Sequence, residues 1–150
     1  MLDVNLIGAW RCVKYASPHL RESEQGSIVN IGSIGGKWPY PNRSPYGASK
    51  MGLVGLTRTL AYELGHDNVT VNVVQPGAVA GERIQQAVQK QADLADVEGA
   101  EPFRITANDF ALPDYLIQPE DVAAQVAYLA GPSARKITGQ ELAIDAGGSY

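Results

Sequence analysis

Tyr46, Lys50 and Ser33 are the residues whose types and spacing could do chemistry. Tyr46 and Lys50 stand four apart in Ser44-Pro45-Tyr46-Gly47-Ala48-Ser49-Lys50. On a helix they share one face, one turn apart. Ser33 lies thirteen residues before Tyr46, close behind the run Ser27-Ile28-Val29-Asn30-Ile31. A phenol, an ammonium and a hydroxyl on neighbouring elements could form a proton-transfer site. The spacing also allows plainer readings: an ordinary pair on a helix surface, and a serine that caps its own loop. A hydrolase elbow fits poorly, because G-x-S-x-G around Ser33 would need a glycine where Ile31 stands.

Those three residues need elements to position them. Residues 2 to 21 read as a helix, with Leu2, Leu6, Trp10, Val13 and Leu20 near helical spacing. The pattern is already running at residue 2, as though the chain began inside a helix. Ser27 to Ile31 is short and rich in apolar residues, like a strand buried on both faces. Gly32-Ser33-Ile34-Gly35-Gly36 is a loop at its carboxyl end. Ser44 suits an N-cap and Pro45 the first helical position, so a helix is expected from there to about Leu64. Leu53, Leu56, Leu60 and Leu64 form its apolar stripe, while Gly47, Gly52 and Gly55 leave another face nearly bare. Glycine costs a helix roughly 1 kcal/mol against alanine. Three of them imply that a cofactor or a neighbouring helix comes very close. Val69 to Val74 is a second strand, stopped by Gln75-Pro76-Gly77-Ala78. Gly81 to about Val97 is polar and helix-prone, and residues 98 to 118 read as a lid or substrate loop. Pro119-Glu120-Asp121 opens another helix, which Gly131-Pro132 ends. Gln140 to Asp145 is a third strand.

Helices alternating with short buried strands imply an α/β fold: a parallel sheet of about three strands covered by helices on both faces. Ligands sit at the carboxyl ends of strands in such sheets. Ser33, Pro76-Gly77 and the start of the Tyr46 helix all fall at that end.

The totals narrow the function. The 150 residues suit a single domain spanning the whole chain, and 45% apolar content suits a globular protein. A net charge of −4 with interspersed signs argues against nucleic-acid or anionic-membrane partners. No apolar run is long enough to span a bilayer, and residues 1 to 5 do not read as a signal peptide. One cysteine, Cys12, excludes an internal disulfide, and with His19 and His66 it cannot make an ordinary zinc site. The expected location is a reducing cytoplasm, with the histidines on the surface. Trp10 and Trp38 read as packing residues, and Trp38 could border a substrate.

The sequence resembles the short-chain dehydrogenase/reductase family. The resemblance rests on features in order: the Ser33 to Tyr46 spacing, Tyr46-Gly47-Ala48-Ser49-Lys50, Gln75-Pro76-Gly77 after a strand, and Thr138-Gly139-Gln140 leading to Asp145-Ala146-Gly147-Gly148. Val4-Asn5-Leu6-Ile7-Gly8 looks like that family's helix carrying a catalytic asparagine. The match spans essentially the whole chain and implies a partial Rossmann-like, doubly wound sheet. It also implies an NAD(P)-dependent oxidoreductase that interconverts an alcohol and a ketone.

By that resemblance Tyr46 is the general acid/base. A free phenol titrates near ~10, so it needs help near neutrality. Lys50 would stabilise its phenolate and hold the nicotinamide ribose. Ser33 would bond the substrate oxygen, and Asn5 would anchor a water that relays protons to Lys50. Pro76, Gly77 and Val79 would line the nicotinamide pocket. Where many relatives have a threonine, Ala78 and Ala80 flank Val79. The helices of residues 2–21 and 45–64 would build a homo-oligomer interface. The family's glycine-rich turn, which holds the pyrophosphate at a helix N-terminus, has no counterpart here. The chain therefore reads as the catalytic, C-terminal half of the fold, and Ser27 to Ile31 should lack one neighbour. The cofactor, NAD or NADP, has no selecting residue. Two rivals remain: a non-catalytic interaction protein that keeps the constellation as inheritance, and a split enzyme whose N-terminal half is a separate chain.

Overall fold

The computed structural model describes residues 1–39, 42–82, 84–86, 89 and 110–149. Helix α1 (Gly8–Glu22) leads into strand β1 (Ser27–Ile31), helix α2 (Ser44–Gly65), strand β2 (Thr70–Pro76), helix α3 (Pro119–Ala130) and strand β3 (Glu141–Ile144). The strands form one parallel sheet in the order β1-β2-β3. Ile28 pairs with Val71, Ile31 with Val74, and Pro76 with Ile144. The α/β class, the parallel sheet and the flanking helices follow the sequence pattern.

The period of two along the strands sorts the core into two layers. Val69 and Val71 of the β2 region pack with Val13 of α1 and Leu60, Ala61 and Leu64 of α2. On the other face Val74 packs with Leu129 of α3 and Ala134, joined by Val29, Val122, Val126 and Leu142. Every residue of β2 is buried, as a strand flanked on both edges and both faces must be.

β1 departs from the expected burial. It is half-covered, and Ile31 at its end is 46% exposed. The cause is its place at the sheet edge: among the described residues β1 pairs with β2 alone. Asn30 Nδ2 donates to Thr57 Oγ1 at 2.8 Å, tying β1 to α2 inside the core. On β2, Asn72 donates to the Ile137 carbonyl and accepts from Gln140 N. Thr138 Oγ1 accepts from Val71 N and Gly139 N donates to Val71 O, so Thr138-Gly139-Gln140 sets the register of β3.

Three boundaries differ from the pattern. The first helix opens with a π-helical turn at Asp3–Ile7, in which Gly8 N bonds Asp3 O. Periodicity of side chains cannot register one wide turn. α2 begins at Ser44 itself, with Arg43 as its N-cap and no side-chain cap bond. Tyr46 N and Gly47 N both take the Arg43 carbonyl, which moves the helix start one residue upstream of the expected cap. β2 extends through Gln75 to Pro76, because a terminal proline can end a strand without donating to it. The start of α3 at Pro119 and its end before Gly131-Pro132 fall where expected. Of the expected helix over 81–97, Gly81 is described as a bend, and residues 82, 84–86 and 89 are described and are helical. The rest of it and residues 98–109 of the expected lid lie outside the described residues. No helix among the described residues is long and apolar enough to cross a membrane.

Candidate active site

A cleft of about 800 Å³ opens at the carboxyl end of the sheet. All seven residues singled out in the sequence line it: Asn5, Ser33, Tyr46, Lys50, Pro76, Gly77 and Val79. Asn5 comes from the π-helical turn, Ser33 from the loop after β1, Tyr46 and Lys50 from α2, and the last three from the end of β2.

The α2 side of the cleft is held by side-chain hydrogen bonds. Lys50 Nζ donates to the Ile31 carbonyl at 2.8 Å and lies 5.9 Å from the centre of the Tyr46 ring. The ammonium is thus pinned to the end of β1 with the phenol one turn away. Ser33 Oγ accepts from Gly35 N at 3.1 Å, which caps the short 3₁₀ turn Ile34–Gly36. The loop-capping reading of Ser33 is thereby realised, and its hydroxyl hydrogen remains a donor to give. Gly36 lies against the backbone of Lys50 and Met51: an added Cβ would come within 3.1 Å of both. This close approach brings the serine loop onto α2.

Ser49 is a residue that sequence reasoning passed over. It is fully buried, accepts from Asn5 Nδ2 at 3.1 Å and donates to the Tyr46 carbonyl at 2.7 Å. It therefore fixes Asn5 against the turn of α2 that carries Tyr46. The signal was present: a serine three residues after Tyr46, placed to bond back to its carbonyl. Asn42 and Arg43 also line the cleft, as do Met1 and Ile84.

The opposite side is made from backbone. Gly77 N donates to Ile144 O at 2.9 Å, and a Cβ on Gly77 would meet Asp145 Cα at 2.9 Å. Beyond it, Ala80 N donates to Ile117 O and Ile117 N to Ala78 O, a parallel bridge that pairs Val79 with Ile117. Ala78 and Val79 are thus held as a strip of the cleft wall, with Ala80 just beyond it. The departure from threonine leaves this strip without a hydroxyl.

The bare face of α2 receives two different answers. Gly52 is approached by Leu6, whose Cδ2 lies 2.7 Å from where a Cβ would stand. Around Gly55 there is nothing within 4 Å. Trp38 lines a second cleft with Lys37, Met51 and Gly47, which shares Arg43 with the first but is lined by neither Ser33 nor Lys50. Neither tryptophan is a core residue: Trp10 is 45% and Trp38 46% exposed. Trp10 instead lies under the Lys14 ammonium, 5.6 Å from the ring centre. His19 and His66 are exposed, and no cluster of metal-binding side chains occurs among the described residues.

The family described as enoyl-(acyl carrier protein) reductase matches residues 1–149. A putative ketoacyl reductase of Streptomyces coelicolor is 39% identical over 154 residues, covering 100% of this chain and 58% of that protein. Carveol dehydrogenase from Mycobacterium avium in complex with NAD superimposes with a TM-score of 0.85 at 36% identity, covering 99% of this chain and 55% of that one. A point variant of actinorhodin polyketide ketoreductase with NADPH gives 0.82 at 37% identity, covering 97% and 57%. The chain spans between half and three-fifths of the length of these relatives. The family match runs from residue 1, so the expected lack of an N-terminal half draws no support from it.

Proposed function

The chain belongs to the short-chain dehydrogenase/reductase family, and from that premise we propose that it interconverts an alcohol and a ketone with a nicotinamide cofactor. One observation carries this reading: Asn5, Ser33, Tyr46 and Lys50 converge on a single cleft whose far wall is the Pro76–Val79 strip.

The cleft suits the reacting end of such a cofactor. Pro76, Ala78, Val79 and Ile84 offer an apolar wall to a flat ring, and Lys50 offers an ammonium to ribose hydroxyls. NAD or NADP supplies a hydride acceptor or donor when bound. This chain's residues handle the proton. Ser33 donates a hydrogen bond to the substrate oxygen. As an alcohol is oxidised, the Tyr46 phenolate takes the hydroxyl proton; in the reverse direction the phenol gives it back to the forming alkoxide. Lys50 stabilises the phenolate by its charge. Asn5, braced by Ser49, holds a relay between Lys50 and solvent.

A second reading is favoured by one observation: β1 has an outer edge without a strand among the described residues. In it another polypeptide pairs with that edge and supplies the pyrophosphate-binding turn. An unpaired edge is a ready template for such pairing.

Titrating the purified chain with NADH and with NADPH, read by cofactor fluorescence, separates the two. Saturable binding is the expected result and ranks the two cofactors. No binding at millimolar cofactor overturns autonomous catalysis. Binding that appears only after addition of a glycine-rich partner chain selects the second reading.

A further inference from the structure

Three segments close into a circuit of contacts behind the β2 side of the cleft. The first is the cleft wall at residues 76–79, where Gly77 N donates to Ile144 O and Gly77 lies against Asp145. The second is the stretch 110–117. At one end of it Ala111 N and Leu112 N both donate to the Ala146 carbonyl, at 3.0 and 3.1 Å. At the other end Ile117 bridges Val79, donating to Ala78 O at 2.9 Å and accepting from Ala80 N at 2.8 Å. The third is the turn 145–148, held by Gly148 N on Asp145 O and by Gly147 N on Asp145 Oδ1. Phe110 completes the circuit. It covers Gly148, where an added Cβ would meet its ring at 2.6 Å, and it stacks on Tyr115 with ring centres 4.8 Å apart.

One link in this circuit is strained. Ala146 is buried with φ 53°, in the left-handed region that a residue with a Cβ enters uncommonly. Glycine would take this conformation freely, so the alanine is held in it by its surroundings. In that conformation its carbonyl spends both lone pairs on the amides of Ala111 and Leu112. In another backbone basin the carbonyl would turn away from them. We infer that Ala146 is a positioning residue: its left-handed carbonyl holds the stretch 110–117, and through the Ile117 bridge it sets Ala78 and Val79 in the cleft wall. The end of β3 thereby governs how tightly that wall holds the cofactor. The effect on the cofactor rests on the oxidoreductase reading, and the coupling of turn to wall does not.

Amide hydrogen exchange of the full chain without ligand, read by NMR, tests the coupling through local opening. Ala146→Val places a β-branched residue where φ is positive, which it tolerates poorly. The amides of Ala111, Leu112, Ile117 and Ala80 should then exchange about fivefold faster, the equivalent of one hydrogen bond. Thr70 and Val71, at the far end of β2, should keep their rates. Ala146→Gly accepts the same φ and should exchange like wild type. Unchanged rates at Ile117 and Ala80 in Ala146→Val overturn the inference. Equal loosening in both variants also overturns it, because the backbone conformation is then not the cause. If Thr70 and Val71 loosen too, Phe110→Ala decides by the same amides: faster exchange at Ile117 and Ala80 supports the coupling, and unchanged exchange overturns it. In steady state, Ala146→Val should raise cofactor KM about fivefold with kcat nearly unchanged, and Ala146→Gly should restore it. Normal cofactor KM with loosened amides overturns the positioning role. If the wild type neither binds cofactor nor turns over, amide exchange alone decides the inference, and that failure counts only against the oxidoreductase reading.

Discussion

The two walls of the cleft are built in different ways. The α2 wall is made of named side chains, each fixed by a specific bond: Lys50 on Ile31 O, Ser33 on Gly35 N, Asn5 on Ser49. The β2 wall from Pro76 to Ala80 is fixed through main-chain groups, to Ile144 and Ile117. One wall has chemical identity and tolerates modest shape change. The other has shape, and its side chains are exchangeable so long as the backbone path is kept. Chemistry that moves a proton needs the first kind of wall. Holding a flat ring needs the second.

The largest effect expected from this contrast falls on the α2 wall. Tyr46→Phe removes one oxygen, keeps the ring and touches no core residue. Turnover should fall about 100- to 10,000-fold, the usual contribution of a general acid/base, while the thermal midpoint stays put. Unchanged turnover in a steady-state assay would refute the role given to Tyr46.

Gly77→Ala probes the β2 wall. The new Cβ would stand 2.9 Å from Asp145 Cα and 3.0 Å from its Cβ, atoms of the residue that follows β3 and cannot swing away. Overpacking of this kind costs about 1–3 kcal/mol. The strip beyond Gly77 should shift, so urea denaturation should show lower stability and cofactor KM should rise more than kcat falls. A variant with normal cofactor KM and halved kcat would erase the distinction between the walls.

The difference between walls also explains what the sequence could reveal. Tyr46, Lys50, Ser33 and Pro76-Gly77 were legible because helix and strand periods carry them to one end of a parallel sheet, and ends of strands are where clefts form. The opening of α3 at Pro119 and its stop at Gly131-Pro132 were legible because proline and glycine restrict backbone geometry locally. What escaped depends on partners distant in sequence. Ser49 acquires its role from Asn5, forty-four positions earlier. The edge position of β1 was expected from the resemblance, but the apolar run by itself had pointed to a strand buried on both faces and did not report the exposure of Ile31. Asn5 and Leu6, adjacent in sequence, both meet α2, at Ser49 and Gly52, and neither residue type names its partner there.

Ser49→Ala sharpens the α2 side at lower cost. It deletes the acceptor of Asn5 Nδ2 and the donor to Tyr46 O while keeping a small side chain in a fully buried place. Loss of one such link is worth about 1 kcal/mol, or about fivefold if it reaches the barrier. The expected signature is a drop in kcat with cofactor KM nearly unchanged, the converse of Gly77→Ala. A rise in cofactor KM with kcat intact would mean that Asn5 is braced for the β2 wall instead.

The smallest effect should come from Gly55, and it bears on assembly. Gly52 and Gly55 sit on the same helix, and each gives up about 1 kcal/mol of helix propensity relative to alanine. At Gly52 the structure supplies a reason, since Leu6 occupies the space a Cβ would need. At Gly55 nothing of this chain lies within 4 Å. If that face of α2 is solvated, Gly55→Ala should raise stability by up to about 1 kcal/mol, read as a higher urea midpoint at constant slope. If the face packs against a second copy through α1 and α2, the same methyl group should instead weaken association. Sedimentation at two concentrations would then show a shift toward monomer. A stabilised variant with unaltered sedimentation removes Gly55 from any interface. The glycine would then mark a place where the helix tolerates a weak residue without using it.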